Sequence, residues 1–351
     1  MEGRVRKGRL AAEQAQRVNR DIARHRSLTD SRPTLSVALC TYNGAAYLPE
    51  QLESIAAQSR VPDELVVCDD GSHDATEELV ARFARRAAYP VRFISNPVNL
   101  GSSRNFAQAI GLCTGNFIAL CDQDDKWEPR KLETLADILH TSGAGGVFSN
   151  GYLMDGLSKP VSGTLWELSR FFERDGGFEW FRSRPHAISA LLRCNVVTGA
   201  TMMIRAGLRD RVLPIPQEWI HDGWIAWMLV LHSQMVACPE PLIHYRLHSS
   251  QQVGMPGRSA LSHLRRARQT GGTAYRTEEK QFGILEAYAE AHPELCAPEL
   301  RRSITKKRQL CAFRAELPAS RLARWREIAA NSSEYRLYSQ GWRSMLKDTL
   351  R

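Results

Sequence analysis

The chain lacks any apolar run long enough to cross a bilayer. Its longest, Trp224 to Leu231, is eight residues, against roughly 20 for a spanning helix. No apolar h-region opens the sequence, so no secretory signal is read there. The eight cysteines are scattered and form no Cys-x-x-Cys pair, which argues against a disulfide-built secreted domain. Cys40, Cys68 and Cys121 instead each end an apolar run, where a reduced thiol behaves as a small hydrophobe. No zinc-finger or RNA-recognition pattern is present. These absences point to a cytoplasmic protein.

What is present is ordinary for a globular chain: 351 residues, 43% hydrophobic and 24% charged, enough for one large domain or two modest ones. The net charge of +9 is unevenly spread, at +5 over residues 1–33, −5 over 34–256 and +9 over 257–351. Basic ends of this kind suit an anionic surface, membrane or nucleic acid, and equally suit a solvated helical face. The same boundaries divide the chain by pattern. Residues 1–33 form a basic N-terminal extension, helix-compatible from Leu10 to Arg26 and broken at Ser31-Arg32-Pro33. Residues 257–351 read as basic helices broken at Pro293, Pro298 and Pro318, with positive clusters at Arg265-Arg266, Arg301-Arg302 and Lys306-Lys307-Arg308.

Between them, strands and helices alternate. Strands end near residues 40, 68, 95 and 121, and helices are expected over 46–58, 74–86 and 102–112. That is a βαβ series with a mainly parallel sheet, in which ligands bind outside the carboxyl ends of the strands. Each of those ends is polar here: Thr41-Tyr42-Asn43-Gly44, Asp69-Asp70-Gly71-Ser72, Asn99-Leu-Gly101-Ser-Ser-Arg104-Asn105, and Asp122-Gln123-Asp124-Asp125. Singly, each is a turn. Converging on one rim they offer a ring to stack on (Tyr42), a carboxylate for a base or ribose (Asp70), donors (Arg104, Asn105) and an acidic cluster. Such a set describes a nucleoside-diphosphate pocket.

Three carboxylates at one strand end repel one another. A hard divalent cation, Mg²⁺ or Mn²⁺, would relieve that repulsion and grip a substrate phosphate. The competing reading is a solvated acidic loop that caps the helix beginning near Pro129, with Asp125 as the cap. Downstream, Val196–Ile204 reads as a strand, and Ile220–Leu231 as an apolar helix with Asp222 in its first turn, a favourable place for any acid. The aromatic stretch with Phe171, Phe172, Phe178, Trp180 and Phe181 is expected to be core packing or an acceptor-side excursion.

The motifs Ser36-Val-Ala-Leu-Cys-Thr-Tyr-Asn43, Asp69-Asp-Gly-Ser72, Asn99-Leu-Gly-Ser-Ser-Arg-Asn105 and Asp122-Gln-Asp-Asp-Lys-Trp127 together resemble the inverting glycosyltransferases of family 2. Order and spacing match through about residue 260. With His221-Asp222-Gly223-Trp224 and Tyr245-Arg-Leu-His248 downstream, the chain looks most like the bacterial rhamnosyltransferase-type members that build surface polysaccharides such as O-antigen. Gly223 departs from the pattern, which has a large residue there.

The resemblance implies a GT-A fold: α/β, a Rossmann-like, mainly parallel sheet flanked by helices, with a C-terminal helical extension. It implies transfer of a sugar, L-rhamnose from dTDP-rhamnose or another hexose such as galactose or glucose, to a surface polysaccharide or lipid-linked glycan. The expected donor contacts are Thr41, Tyr42, Asn43, Asp70, Gly101, Arg104, Asn105, Gln123 and Arg246. Asp122 and Asp124, with His248 as a third ligand, would hold Mg²⁺ or Mn²⁺, and Asp222 would be the general base. A lipid-linked acceptor fits peripheral contact of the basic helices with an anionic membrane, at the cytoplasmic face of the inner membrane. Two rivals remain. A nucleic-acid-binding protein leaves the acidic loops unexplained, and an inactive sugar-nucleotide binder leaves Asp222 without a purpose.

Overall fold

The computed structural model describes residues 32–169, 181, 183–248 and 272–351. The Leu10–Arg26 helix, Phe171, Phe172, Phe178, Trp180, the Gln251–Gly254 loop and Arg265-Arg266 lie outside them. The chain divides into two compact units, Met1–Thr34 and Leu35–Arg351.

The second unit opens with the expected βα series. β1 (Leu35–Thr41), β2 (Glu64–Asp69), β3 (Val91–Ser95) and β4 (Phe117–Asp122) alternate with α1 (Leu48–Ala56), α2 (Thr76–Ala84) and α3 (Ser102–Leu112). β1 and β2 are buried along their whole length, and β4 up to Cys121. Near-continuous apolar strands of this kind belong to a sheet covered on both faces. β1 pairs in parallel with β2 on one side and β4 on the other, and β2 pairs in parallel with β3. All four carboxyl ends therefore open on the same rim.

After β4 the pattern changes. The order runs β5 (Lys126–Trp127), α4 (Lys131–Ser142), β6 (Gly146–Asp155), β7 (Pro160–Thr164), α5 (Leu165–Ser169), α6 (Arg184–Arg193), β8 (Met202–Arg205), α7 (Arg209–Val212), α8 (His221–His232) and β9 (Met235–Leu247). The nine strands form one sheet ordered β3-β2-β1-β4-β8-β6-β9-β5, with β7 on β6. β8 runs antiparallel to β4 and β6, β5 to β9 and β7 to β6. The sheet is thus mixed, with β1–β4, β6 and β9 running one way and β5, β7 and β8 against them. The strand expected from Val196 begins only at Met202: Gly199–Thr201 forms a 3₁₀ turn, and the Gly199 N–H is turned toward Asp222.

Beyond residue 271 come α9 (Gly272–Ala291), α10 (Pro298–Ala315), α11 (Arg321–Ala330), α12 (Ser332–Tyr338) and α13 (Trp342–Leu350). The breaks between the first three fall at the expected prolines. These helices are not a loose appendage. Phe282, Leu285 and Ala289 of α9 are buried in the same core as the sheet. Phe282 lies 5.9 Å from the Trp219 ring and 6.1 Å from that of Trp227, and Trp219 Nε1 donates to the Gln281 carbonyl at 3.1 Å. The helices are also tied to one another. The fully buried Asp348 carboxylate accepts from Tyr275 Oη (2.6 Å), Arg314 Nε (2.7 Å) and Tyr335 Oη (2.8 Å), so a buried charge is paired and hydrogen-bonded as its burial requires.

Candidate active site

The rim above β1, β2 and β4 is built by loops that hold one another. Thr41 Oγ1 and Ser72 Oγ both donate to Asp69 Oδ1, at 2.7 and 2.6 Å. Asn43, at a left-handed φ of 47°, donates its N–H to Ser72 Oγ (2.7 Å) and accepts from the His73 N–H (2.9 Å). Gln123 clasps the main chain of Tyr42, accepting from its N–H at 2.8 Å and donating to its carbonyl at 3.0 Å. The Tyr42 ring remains 44% exposed, available as a stacking platform.

Asp70 is buried and organises the third loop. It accepts from Asn96 Nδ2 (3.0 Å) and from the N–H groups of Leu100 (2.7 Å) and Gly101 (2.9 Å). Asn105 is buried beneath, donating to the Cys68 carbonyl at 2.7 Å and accepting from Asn96 at 3.0 Å. Arg104 is exposed and bonds Gln217 at 2.9 Å. Of the expected donor contacts, Tyr42, Gly101 and Arg104 stand at the surface, while Thr41, Asn43, Asp70, Asn105 and Gln123 shape the loops.

The acidic cluster departs from expectation in two places. Asp125 does not cap α4, whose first turn has no side-chain cap. It is fully buried, and its Oδ1 accepts from the Arg246 N–H at 2.9 Å. Arg246 does not present its guanidinium as a donor contact. It is 1% exposed and grips the acidic loop from below: Nε donates to the Asp124 carbonyl (2.6 Å), Nη1 to Ser158 Oγ (2.7 Å) and Nη2 to Glu50 (2.6 Å). A guanidinium carries five donors in a rigid fork, and here the protein itself takes them up.

Asp122 and Asp124 remain at the rim. Burial, then the charge of Asp124, then that of Asp222, pushes the Asp122 carboxyl up to about 7. His248 Nε2 lies 2.8 Å from Asp124 Oδ2, so β9 delivers this histidine to the cluster as a partner that orients Asp124. Among the described residues no three or more His, Cys, Asp or Glu side chains converge to enclose a metal. The residues still fit a divalent cation of the Mg²⁺ or Mn²⁺ type: two rim carboxylates destabilised by mutual repulsion, with phosphate oxygens left to complete the shell.

On the far side of the rim, Asp222 sits in the first turn of α8. Its Oδ1 accepts from Asn195 Nδ2 at 2.9 Å and its Oδ2 from the Gly199 N–H at 3.3 Å. Burial pushes its carboxyl up to about 6, against the opposing pull of those bonds. Behind it, His221 is stacked on Phe106 at 3.9 Å, and burial holds it neutral, down to about 3. At Gly223 a Cβ would meet the Trp219 ring at 3.4 Å, an ordinary contact, so nothing in the structure explains the departure there.

Sequence reasoning missed Asn195, Gln217 and Glu50. Each acts on a residue 27 or more positions away, and no local pattern marks such a partner.

Residues 36–196 match the sequence model of Glycosyl transferase family 2. Over that stretch the chain is similar to glycosyl transferase family 2. It is 26% identical over 245 residues to an uncharacterized glycosyltransferase of Nostoc sp., covering 68% of this chain and 71% of that one. It is 33% identical over 93 residues to the abequosyltransferase RfbV of Salmonella typhimurium, covering 26% and 28% of the two chains. Among solved structures, S. aureus TarS 1–349 in complex with UDP-GlcNAc superposes with a TM-score of 0.52 at 16% identity, over 87% of this chain and 92% of that one. The mannosyltransferase PcManGT of Pyrobaculum calidifontis, in complex with GDP-Man and Mn²⁺, gives 0.52 at 18%, over 92% and 85%. The fold is GT-A-like, as in these solved structures, and the similarity to family 2 covers residues 36–196.

Proposed function

We propose that the protein is an inverting, metal-dependent transferase that moves a sugar from a nucleoside diphosphate to a hydroxyl of a surface polysaccharide or lipid-linked glycan, with dTDP-L-rhamnose as the leading donor. The observation that supports this reading is that Asp222 lies near enough to Asp122 for its charge to help raise that carboxyl, which would bring a base beside a diphosphate-binding cluster. The nucleotide-sugar complexes of TarS and PcManGT and the abequosyltransferase RfbV support the substrate class.

In this reading Tyr42 stacks on the nucleobase, the loop ordered by Asp70 borders the nucleoside, and Asp122 and Asp124, steadied by His248, face the diphosphate. When bound, a divalent cation would neutralise charge on the departing diphosphate. Asp222 accepts the proton of the acceptor hydroxyl as its oxygen bonds to the anomeric carbon. The bond to the diphosphate oxygen breaks on the opposite face, and the leaving group departs with the electron pair. Attack and departure on opposite faces invert the centre.

The test is a panel of nucleotide sugars assayed for nucleoside diphosphate release with Mg²⁺ or Mn²⁺. Asp222→Asn is expected to bind donor normally and to lose about 10²–10⁴-fold in turnover. Asp124→Ala is expected to lose metal-assisted donor binding. Full transfer by Asp222→Asn would remove the general base from the scheme, and release of the dTDP-rhamnose nucleotide no faster than that of other donors would remove the donor assignment.

A further inference from the structure

Exposed large hydrophobic side chains are unevenly spread over this surface. Of twelve among the described residues, six (Leu322, Trp325, Leu337, Trp342, Leu346 and Leu350) fall in α11, α12 and α13. Singly exposed apolar residues are normal, whereas a cluster calls for a partner. On α13 the cluster has helical register. Trp342, Leu346 and Leu350 recur every four residues and so line one face, exposed by 63%, 50% and 38%. The opposite side is anchored in the protein through Ser344 and the fully buried Asp348. One position further round runs a second stripe, Arg343, Lys347 and Arg351, all cationic. α11 contributes Leu322 and Trp325, and it is held to α13 by Arg324, whose guanidinium donates to the Ala319, Pro318 and Asp348 carbonyls. Residues 317–351 hold seven Lys or Arg and three Asp or Glu, and Asp348, one of those acids, is already paired with Arg314.

We infer that the α11–α13 end of the molecule docks on an anionic lipid bilayer. Trp342, Leu346 and Leu350 would enter the boundary between headgroups and acyl chains, with the cationic stripe against lipid phosphates. An apolar stripe bordered by a basic one on a single helix, with tryptophans at its margins, matches the chemistry of such an interface. Positive charge of this density does not favour pairing with a second identical face, because the two stripes would repel. The inference rests on the C-terminal helices alone and stands whether or not the proposed reaction is correct.

The full-length protein is sedimented with vesicles of phosphatidylglycerol and phosphatidylcholine, and separately with phosphatidylcholine alone. Binding is expected only with the anionic vesicles and is expected to weaken as salt rises. The double variant Trp342→Gln/Leu346→Gln should lower the partition coefficient by roughly tenfold or more. Both side chains are exposed, so the melting temperature should not move, and Trp325→Gln tests whether the exposed tryptophan of α11 takes part. Three results would overturn the inference. They are wild-type protein that ignores anionic vesicles, variants that bind as wild type does, and a dimer in light scattering that the double variant dissolves. The last would mean that a second copy covers the face.

Discussion

At the scale of single residues, the site is governed by two close approaches. In the proposed scheme Asp222 accepts a proton and must be ionised to do so, and its carboxyl is raised by burial to about 6. A base whose pKa is raised is progressively protonated as the pH falls through that value. kcat/KM should therefore be flat above about pH 7 and fall on the acid side around pH 6, an acid limb that Asp222→Asn removes along with the activity. A pH–rate profile flat to pH 5 would contradict the assignment. The second approach is Gly199, where a Cβ would overlap the His221 ring. That ring cannot retreat, since Phe106 is stacked against it. Gly199→Ala should cost about 1–3 kcal/mol of stability through overpacking, measurable by urea unfolding. It should also lower turnover, because the Gly199 N–H that holds Asp222 moves with it.

At the scale of elements, the acidic loop after β4 is fastened by β9, and the fastening is Arg246. Replacing it by Met takes the guanidinium from the Asp124 carbonyl and from Glu50, which keeps only Ser158 and Lys126. Loss of a buried ion pair is costly, and with the Glu50 side chain 33% exposed about 2–3 kcal/mol is expected from denaturant titration. A variant of normal stability with a raised donor KM would instead mean that Arg246 touches the donor. This contact also marks where the sequence stops being informative. β1, β2 and β4 were legible because buried parallel strands are near-continuous apolar runs, and β3 because its short run, like theirs, is followed by a polar turn. Tyr42, Asp70, Asp122 and Asp124 were singled out from those turns, and Asp222 from the resemblance. β9 was not legible. It carries Pro239 and Pro241, which argue against a central strand, and the structure accommodates Pro241 opposite Asn150, where the β6–β9 register shifts. Without β9 in place, nothing local shows that Arg246 points beneath the loop or that Asp125 receives its N–H. Asp125 followed by a helix therefore looked like a cap.

At the scale of the whole molecule, the C-terminal helices complete the core. Phe282 and Leu285 are 4% and 0% exposed and cover the tryptophans around α8. Burial of each is worth about 1.5–3 kcal/mol, a large share of a typical stability of roughly 5–15 kcal/mol. A chain ending before Gly272 should therefore melt without a cooperative transition and aggregate, as seen by calorimetry and light scattering. A soluble truncation with normal melting would show that the helices are dispensable. The opposite margin of the sheet has its own consequence. β3 is the terminal strand, five residues long, bracketed by Pro90 and Pro97. A terminal strand offers bare N–H and C=O groups on which a strand from another molecule can be templated. Proline cannot donate to such a ladder, and Arg92 swings from β3 to the Leu112 carbonyl and Glu64, placing charge at the border. The short strand and its flanking prolines therefore oppose strand-by-strand growth into fibres on this side, a useful property for a protein that also offers exposed tryptophan and leucine on its C-terminal helices.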